Sequence, residues 1–200
     1  MSTEETLFVS RLRANEDAAY DELVRDYHAG IYHSACRMLN DPGEAADVTQ
    51  DIFVKVFRNI ARFRGQCSLK TWIYKVAMSE ILNRLRWSKR RFRHQTVSLD
   101  DEPAEGRPGA PIQVRDRGPD PEEVLETRER NAAIQTGLDK LSKQHRSIVV
   151  LRDIQGFTYE EISDILGISI GTVKSRLSRG REELKKCLAR YLSVQRITSL

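Results

Sequence analysis

Apolar residues recur at helical spacing along most of the chain and predict an all-α protein. The predicted helices cover residues 16–39, 44–63, 68–93, 122–141 and 142–154, followed by a pair of helices within 158–181. Between the first two, Asp41 is placed as an N-cap and Pro42 falls at the first helical position. Ser68 is placed to cap the third helix. The chain contains no alternating pattern that would favour a strand.

The last two predicted helices form a helix-turn-helix pattern. Thr158 and Glu161 have the spacing of a capping box, and Gly167 suits the left-handed residue that ends a helix. Ser169 can then cap the second helix, which keeps Val173 buried and is rich in cations. A short helix, a tight turn and a basic helix are typical of proteins that enter the major groove of DNA. DNA binding is therefore predicted; a solvated amphipathic hairpin is the alternative.

Helix-breaking residues concentrate between the two halves. The segment 96–121 contains five prolines and three glycines, and it has few apolar residues. Such a composition predicts a flexible linker. The resulting organisation is a helical domain over 1–95, a linker over 96–121, and a second helical domain over 122–200.

Composition limits the classes of protein that need to be considered. The hydrophobic content of 40% is enough for packed cores. The longest apolar runs are too short to span a membrane. The acidic N-terminus lacks an apolar signal segment, and the three cysteines form no CxxC pair. These features predict a cytoplasmic protein without a disulfide framework.

The net charge of +4 hides a segregation of charge along the chain. Segments 84–95 and 170–190 are strongly basic, whereas the segment between them turns acidic. Trp87 and Phe92 lie within the first basic segment. Aromatic side chains among cations suit both stacking on unpaired bases and contact with phosphates. Two separate contacts with a polyanion are therefore predicted.

The predicted helix 44–63 has an unusual outward face. At about 100° per residue, Ala45, Val48, Ile52 and Val56 share the core side. The opposite side carries Asp47, Gln50 and Asp51, with Val54 among them. An apolar residue set in a polar face indicates either a docking surface or a solvated face with one stray apolar side chain.

Catalytic and metal-binding patterns are weak. His28 and His33 lie on one predicted helix but point about 140° apart, so they cannot share a compact site. His33 and Cys36 can meet, but two ligands do not make a zinc site. There is no glycine-rich phosphate loop, nucleophile elbow or HExxH motif. We therefore expect no enzyme activity, metal, cofactor or small-molecule substrate.

The order of motifs resembles the extracytoplasmic-function class of bacterial sigma factors. The first half carries DPGEAADVTQDIFVKVFRNIARFRG and SLKTWIYKVAMSEILNRLR, and the second carries LDKLSKQHRSIVVLRDIQGFTYEEISDILGISIGTVKSRLSRGREELKK. The resemblance covers nearly the whole chain except the linker and the two ends. It implies a region 2-like domain over 1–95, which binds the polymerase clamp and melts the minus-10 element. It also implies a region 4-like domain over 122–200, which reads the minus-35 element.

The resemblance assigns roles to particular residues of the first domain. Polymerase binding falls on Asp47, Gln50, Asp51 and Val54, the outward face of helix 44–63. A pocket for a flipped minus-10 base falls on the loop Phe63, Arg64, Gly65, Gln66, Cys67 and Ser68, with Tyr74 and Ser79 on the following helix. The family often has Asn at the position of Ser79. Further minus-10 DNA contacts are expected from Arg84, Arg86, Lys89, Arg90 and Arg91. Cys67 is interpreted as a small packed residue, with redox control as the alternative.

In the second domain the resemblance singles out the recognition helix. Lys174, Ser175 and Ser178 match base-reading positions of the minus-35 element, whereas Thr172, Arg176 and Arg179 are expected to hold phosphates. Lys174 replaces the common Arg and loses the rigid two-pronged donor geometry of a guanidinium.

The function implied is that of a dissociable subunit of core RNA polymerase that directs initiation at chosen promoters. Stress or envelope response, and control by an anti-sigma factor, are implied with it. A stand-alone helix-turn-helix regulator is the alternative function. A nucleic-acid enzyme is disfavoured because no metal or nucleophile cluster is present.

Overall fold

The fold is helical throughout the part of the chain that the structure describes. A computed structural model describes the backbone of residues 3–95 and 121–198 and the side chains of 3–87 and 127–189. Its helices are α1 (Thr3–Arg13), α2 (Asp17–Leu39), α3 (Pro42–Asn59), α4 (Leu69–Gln95), α5 (Pro121–Lys140), α6 (Lys143–Val149), α7 (Tyr159–Leu166) and α8 (Ile170–Thr198). No strand occurs among these residues, which confirms the predicted all-α class. The predicted linker lies outside them, except for Pro121.

Helices α2, α3 and α4 form the centre of the first half. The Asp41 side chain caps α3 by accepting a hydrogen bond from Glu44 N at 2.9 Å, and Pro42 opens the helix as predicted. The core face of α3 is buried, with Ile52 fully enclosed. Helix α3 ends at Asn59, earlier than predicted, and a single 3₁₀ turn over Ile60–Arg62 leads into the loop before α4.

The first helix, α1, was not among the predicted elements. It carries buried Val9 and Leu12, three residues apart, and these side chains join the core. Arg11 forms ion pairs with Glu16 and Glu22, both at 3.0 Å, across the turn into α2. Because Leu7, Phe8 and Val9 are consecutive, α1 gave only a weak periodic signal in the sequence.

In the second half, α5 to α8 enclose their own apolar side chains. The predicted helix 142–154 divides into α6 and a π-helical turn over Val150–Ile154. Helix α8 passes so close to α6 that a Cβ on Gly180 would lie 3.0 Å from Val149 Cγ2. The absence of a side chain at Gly180 therefore allows the close crossing of these two helices.

The two halves pack against each other rather than standing apart. Their buried apolar residues form one continuous cluster, and α4 lies along α7. The Tyr74 ring meets the Phe157 ring edge-on, with centroids 4.7 Å apart. A Cβ on Gly30 would lie 2.5 Å from Tyr74 Oη, so a larger residue at position 30 would displace the phenol. This contact between halves was not foreseen, since a flexible linker was expected to leave the domains independent.

Candidate nucleic-acid and protein interfaces

The helix-turn-helix has the local geometry that its sequence predicts. Thr158 Oγ1 accepts from Glu161 N at 3.2 Å, and a Glu161 carboxylate oxygen accepts from Thr158 N at 2.9 Å, which completes the capping box. Gly167 ends α7 with a φ of 64°. Ser169 Oγ accepts from Thr172 N at 3.2 Å at the start of α8. These contacts fix how α8 projects from α7.

Helix α8 separates its core face from its outer face. Val173 and Leu177 are buried against α7. The predicted base readers Lys174, Ser175 and Ser178 are exposed, as is Arg179, while Thr172 and Arg176 are half-buried. The Ser175 hydroxyl donates to Thr172 O at 3.1 Å, so its oxygen remains the group available to accept a bond from a base.

Two cationic side chains of α8, Lys174 and Arg181, contact residues of neighbouring elements. Arg181 forms a two-pronged ion pair with Asp153, with Nε 3.1 Å and Nη2 2.5 Å from the carboxylate oxygens. The Lys174 ammonium lies 5.9 Å from the Tyr159 ring centroid, at the limit of a cation–π contact. Tyr159 of α7 thus lies beside the Lys174 side chain, whose N–H donors remain exposed to solvent.

The outward face of α3 is exposed as the sequence predicts. We call Asp47, Gln50, Asp51 and Val54 the α3 face; all four are exposed, and Val54 retains 46% of its accessible surface. The Asp51 carboxylate accepts from Arg84 Nη2 at 3.1 Å. This ion pair joins the predicted polymerase-binding face to the predicted DNA-binding end of α4.

The loop before α4 surrounds an open cavity of about 620 Å³. It is lined by Ala61, Arg62, Phe63, Arg64, Gln66, Cys67, Trp72 and Lys75. Four of the six predicted loop residues are therefore at the cavity, whereas Gly65 and Ser68 do not line it. Gly65 supplies a left-handed turn with a φ of 70°, and Ser68 Oγ accepts from Thr71 N at 3.1 Å. Both residues shape the loop instead.

Several lining residues were missed at the sequence level. Arg62 precedes the loop, and Trp72 and Lys75 follow it on one side of α4. The Phe63 and Trp72 rings lie 5.3 Å apart, centroid to centroid, and form the apolar wall. The i, i+3 spacing of Trp72 and Lys75 was the available signal, because such residues share a helix face. The cavity combines an aromatic wall with three cations.

Tyr74 lies away from this cavity. Only 2% of its surface is exposed, and its hydroxyl donates to Gln155 Oε1 at 2.7 Å. Burial raises the pKa of Tyr74 to about 12 because the phenolate would lose its hydration. The Gln155 amide in turn donates to Gly30 O at 3.2 Å. Tyr74 therefore contacts the second half of the chain and does not line the cavity in this arrangement.

A second cavity of about 310 Å³ lies between α4 and the turn of the helix-turn-helix. Ser79 and Arg86 line one side of it, and Ile165, Leu166 and Gly167 line the other. Two predicted minus-10 contacts thus face the turn of the second domain. Arg84 lies elsewhere on α4, paired with Asp51. Lys89, Arg90 and Arg91 belong to the α4 backbone, but their side chains lie outside the described residues.

The thiols and histidines are not assembled into a reactive centre. In the described part of the chain, no group of three or more His, Cys, Asp or Glu side chains is positioned to hold a metal. The three cysteines are free thiols. Burial raises the pKa of the Cys67 thiol, which keeps it protonated and less nucleophilic. Nor does any described helix have both the length and the apolarity required to cross a bilayer.

Comparisons with known proteins identify the family of both halves of the chain. The family model for Sigma-70 region 2 matches residues 23–91, and that for Sigma-70 region 4 matches residues 131–184. The sigma factor SigW of Bacillus subtilis, of the extracytoplasmic-function class, is 32% identical over 182 residues, which cover 90% of this chain and 94% of SigW. The chain belongs to the extracytoplasmic-function family of sigma factors. It is therefore a transcription-initiation factor that acts through core RNA polymerase and promoter DNA.

Two further comparisons extend this picture of the sigma factor. SigE of Mycolicibacterium smegmatis is 33% identical over 175 residues; the match covers 88% of this chain and 63% of SigE. The fold is similar to that of RpoE from Bartonella quintana, which was solved in complex with the anti-sigma factor NepR. That similarity has a TM-score of 0.64 at 23% identity and covers 85% of this chain and 96% of RpoE. The first half of the chain is hereafter region 2 and the second half region 4.

Proposed function

We propose that this sigma factor uses three separate surfaces, each for a different step of transcription initiation. The α3 face binds core polymerase, the cavity before α4 captures an unpaired minus-10 base, and the exposed residues of α8 read the minus-35 element. The observation that carries this proposal is the α3 face, where exposed Val54 stands among Asp47, Gln50 and Asp51. A stand-alone DNA-binding regulator would have no use for such a surface.

The cavity chemistry suits a flipped base. An unpaired base must leave its stack and needs a replacement surface, which the half-buried Trp72 ring can supply while the buried Phe63 ring packs against it. Arg62, Arg64 and Lys75 surround the same opening and can bind the flanking phosphates. The aromatic wall would stabilise the extruded base, and the cations would hold its strand.

Binding both promoter elements requires the two regions to separate. The minus-35 and minus-10 elements lie about 25 base pairs apart, which is about 85 Å of duplex at about 3.4 Å per pair. In the packed arrangement, however, the turn at Gly167 and the side chain of Ser79 line one cavity. The 25 residues of segment 96–120, fully extended, can span about 85 Å. Covalent reach therefore permits simultaneous contact once the regions part.

Run-off transcription with purified core polymerase tests the proposed function. The full chain is expected to direct a transcript with a defined start from its own promoter, whereas core polymerase alone gives none. Tight binding of the full chain to operator duplex without polymerase, together with no specific transcript, would instead support the stand-alone regulator.

The residues of α8 make a separate prediction about the minus-35 element. Lys174→Ala should relax sequence preference at one or two positions, because a base contact typically discriminates by about 1–3 kcal/mol. Arg176→Ala should weaken binding to all sequences alike, since phosphate contacts carry no sequence information. Holoenzyme transcription from promoters randomised at minus-35, read by sequencing, measures both effects. Equal and sequence-blind losses from the two substitutions would contradict the assignment.

The remaining features of the proposal concern regulation and location. The sigma factor is proposed to act in the cytoplasm without a catalytic site, in a stress or envelope response. An anti-sigma factor is proposed to hold it inactive by covering polymerase-binding surfaces such as the α3 face. The complex of Bartonella RpoE with NepR provides an example in a protein of similar fold.

A further inference from the structure

We infer that α1 is a brace that sets the shape of the minus-10 loop, with Glu5 and Arg13 as its positioning residues. The inference rests on the proposed role of that loop. Arg13 Nη2 donates to Phe63 O, at the residue where the loop begins. A Glu5 carboxylate oxygen accepts from Leu69 N at 2.5 Å, at the residue where the loop has just ended. One helix thus binds both ends of the loop.

The spacing of the two residues along α1 makes this double contact possible. Glu5 and Arg13 are eight residues apart, which is about two helical turns, so they project from one side of α1. Leu69 is the first residue of α4, and its N–H has no partner within the helix. The negative charge of Glu5 also complements the positive end of the α4 dipole. The contact therefore gives the Leu69 N–H an acceptor and places a negative charge at the N-terminus of α4.

The brace is itself held firmly. Val9 and Leu12, on the buried side of α1, are 3% and 0% exposed. The Tyr20 hydroxyl donates to Leu12 O at 2.9 Å, near the end of α1. With the ion pairs of Arg11 to Glu16 and Glu22, these contacts fix α1 on α2. Because α1 is held in place, its hydrogen bonds from Arg13 and to Glu5 can hold both ends of the loop in place.

Within the loop, the Ser68 hydroxyl makes hydrogen bonds only to Thr71 on α4 among the contacts described. Gly65 gives the loop a left-handed turn, and Arg64 and Gln66 are exposed. Burial chiefly raises the pKa of Cys67, near the end of the loop, and the Glu5 carboxylate adds a smaller contribution in the same direction. We therefore expect the width of the cavity, and with it the choice of base, to depend on α1.

The first test measures the loop directly by amide hydrogen exchange on the full chain. Glu5→Ala and Arg13→Ala should each speed exchange at Leu69 and in loop residues 64–68 by about tenfold, because each removes a charge-assisted hydrogen bond. Glu5→Gln keeps an acceptor oxygen and should largely restore the slow exchange. The matched controls are Glu4→Ala, an exposed acid on α1, and Arg25→Ala, an exposed cation on α2. Exchange unchanged in the loop would overturn the brace.

The second test measures base preference with the holoenzyme. Promoters randomised across minus-10 are transcribed, and the products are sequenced. Glu5→Ala and Arg13→Ala should lower discrimination at one minus-10 position by about threefold or more, while minus-35 preference and affinity for core polymerase stay unchanged. A merely structural role would lower total activity without altering base preference, and that result would overturn the proposal. If the unmodified chain directs no specific transcript, the proposed function fails; the exchange test still decides whether α1 braces the loop.

Discussion

Asp47→Lys is expected to abolish promoter-directed transcription by removing polymerase binding. The substitution reverses a charge at the N-terminal end of the α3 face without touching the core, since Asp47 is exposed. If the partner surface is basic, as complementarity to Asp47 and Asp51 requires, like charges meet and cost roughly 2–4 kcal/mol. Affinity for core polymerase should therefore fall by about 30- to 1000-fold. Fluorescence titration of labelled full chain with core polymerase measures this loss.

Asp21→Lys is the matched control for this prediction. Asp21 is an exposed carboxylate on α2, so the change in net charge is the same while the α3 face is intact. Both variants should keep the helical circular dichroism of the unsubstituted chain. A loss of affinity shared equally by the two would show that net charge governs binding and would remove the case for the α3 face.

Phe157→Ala is expected to separate the two regions. The Phe157 ring is 1% exposed, meets the Tyr74 ring edge-on, and has the Lys70 ammonium 4.6 Å from its centroid. Truncating a buried Phe costs about 3–5 kcal/mol, and here much of the lost contact lies between regions. The radius of gyration of the free chain, measured by small-angle X-ray scattering, should increase.

A second measurement reports on Tyr74 itself. Separation exposes its phenol to water and stabilises the phenolate, so its pKa should fall from about 12 towards the ordinary value of about 10. Ultraviolet titration of the tyrosines follows this shift. Val173→Ala serves as the control because Val173 is fully buried within region 4. A lower melting temperature with unchanged radius and unchanged titration in Phe157→Ala would mean that Phe157 acts only inside its own region.

The elements that could be predicted were those specified by local chemistry. The capping box at Thr158, the left-handed Gly167 and the Asp41 cap each depend on residues within a few positions of one another. The α3 face followed from helical periodicity, because the side of a helix opposite its apolar stripe can be identified from the sequence alone. Roles for these residues in binding remain predictions.

Features that depend on contacts between distant residues could not be predicted. Helix α1 was missed because its stability comes from packing on α2 and not from a strong periodic pattern. Tyr74 looked like a neighbour of the minus-10 loop because it is close in sequence, yet its partner Gln155 is 81 positions away. Trp72 and Lys75 share the loop side of α4, whereas Tyr74 lies on another side of the same helix. Tertiary packing decides which side of α4 faces the loop and which side faces the second half of the chain.

The packing of Tyr74 against Phe157 also bears on how the free protein stays in solution. Each ring is covered by the other region, so parting the regions would present two large apolar surfaces to water. Exposed aromatic surface of this kind promotes self-association. We therefore expect the contact between the regions to reduce self-association of the free chain by keeping both rings buried. Overproduction without polymerase should be tolerated as long as this contact is intact, and Phe157→Ala should shift the protein towards inclusion bodies.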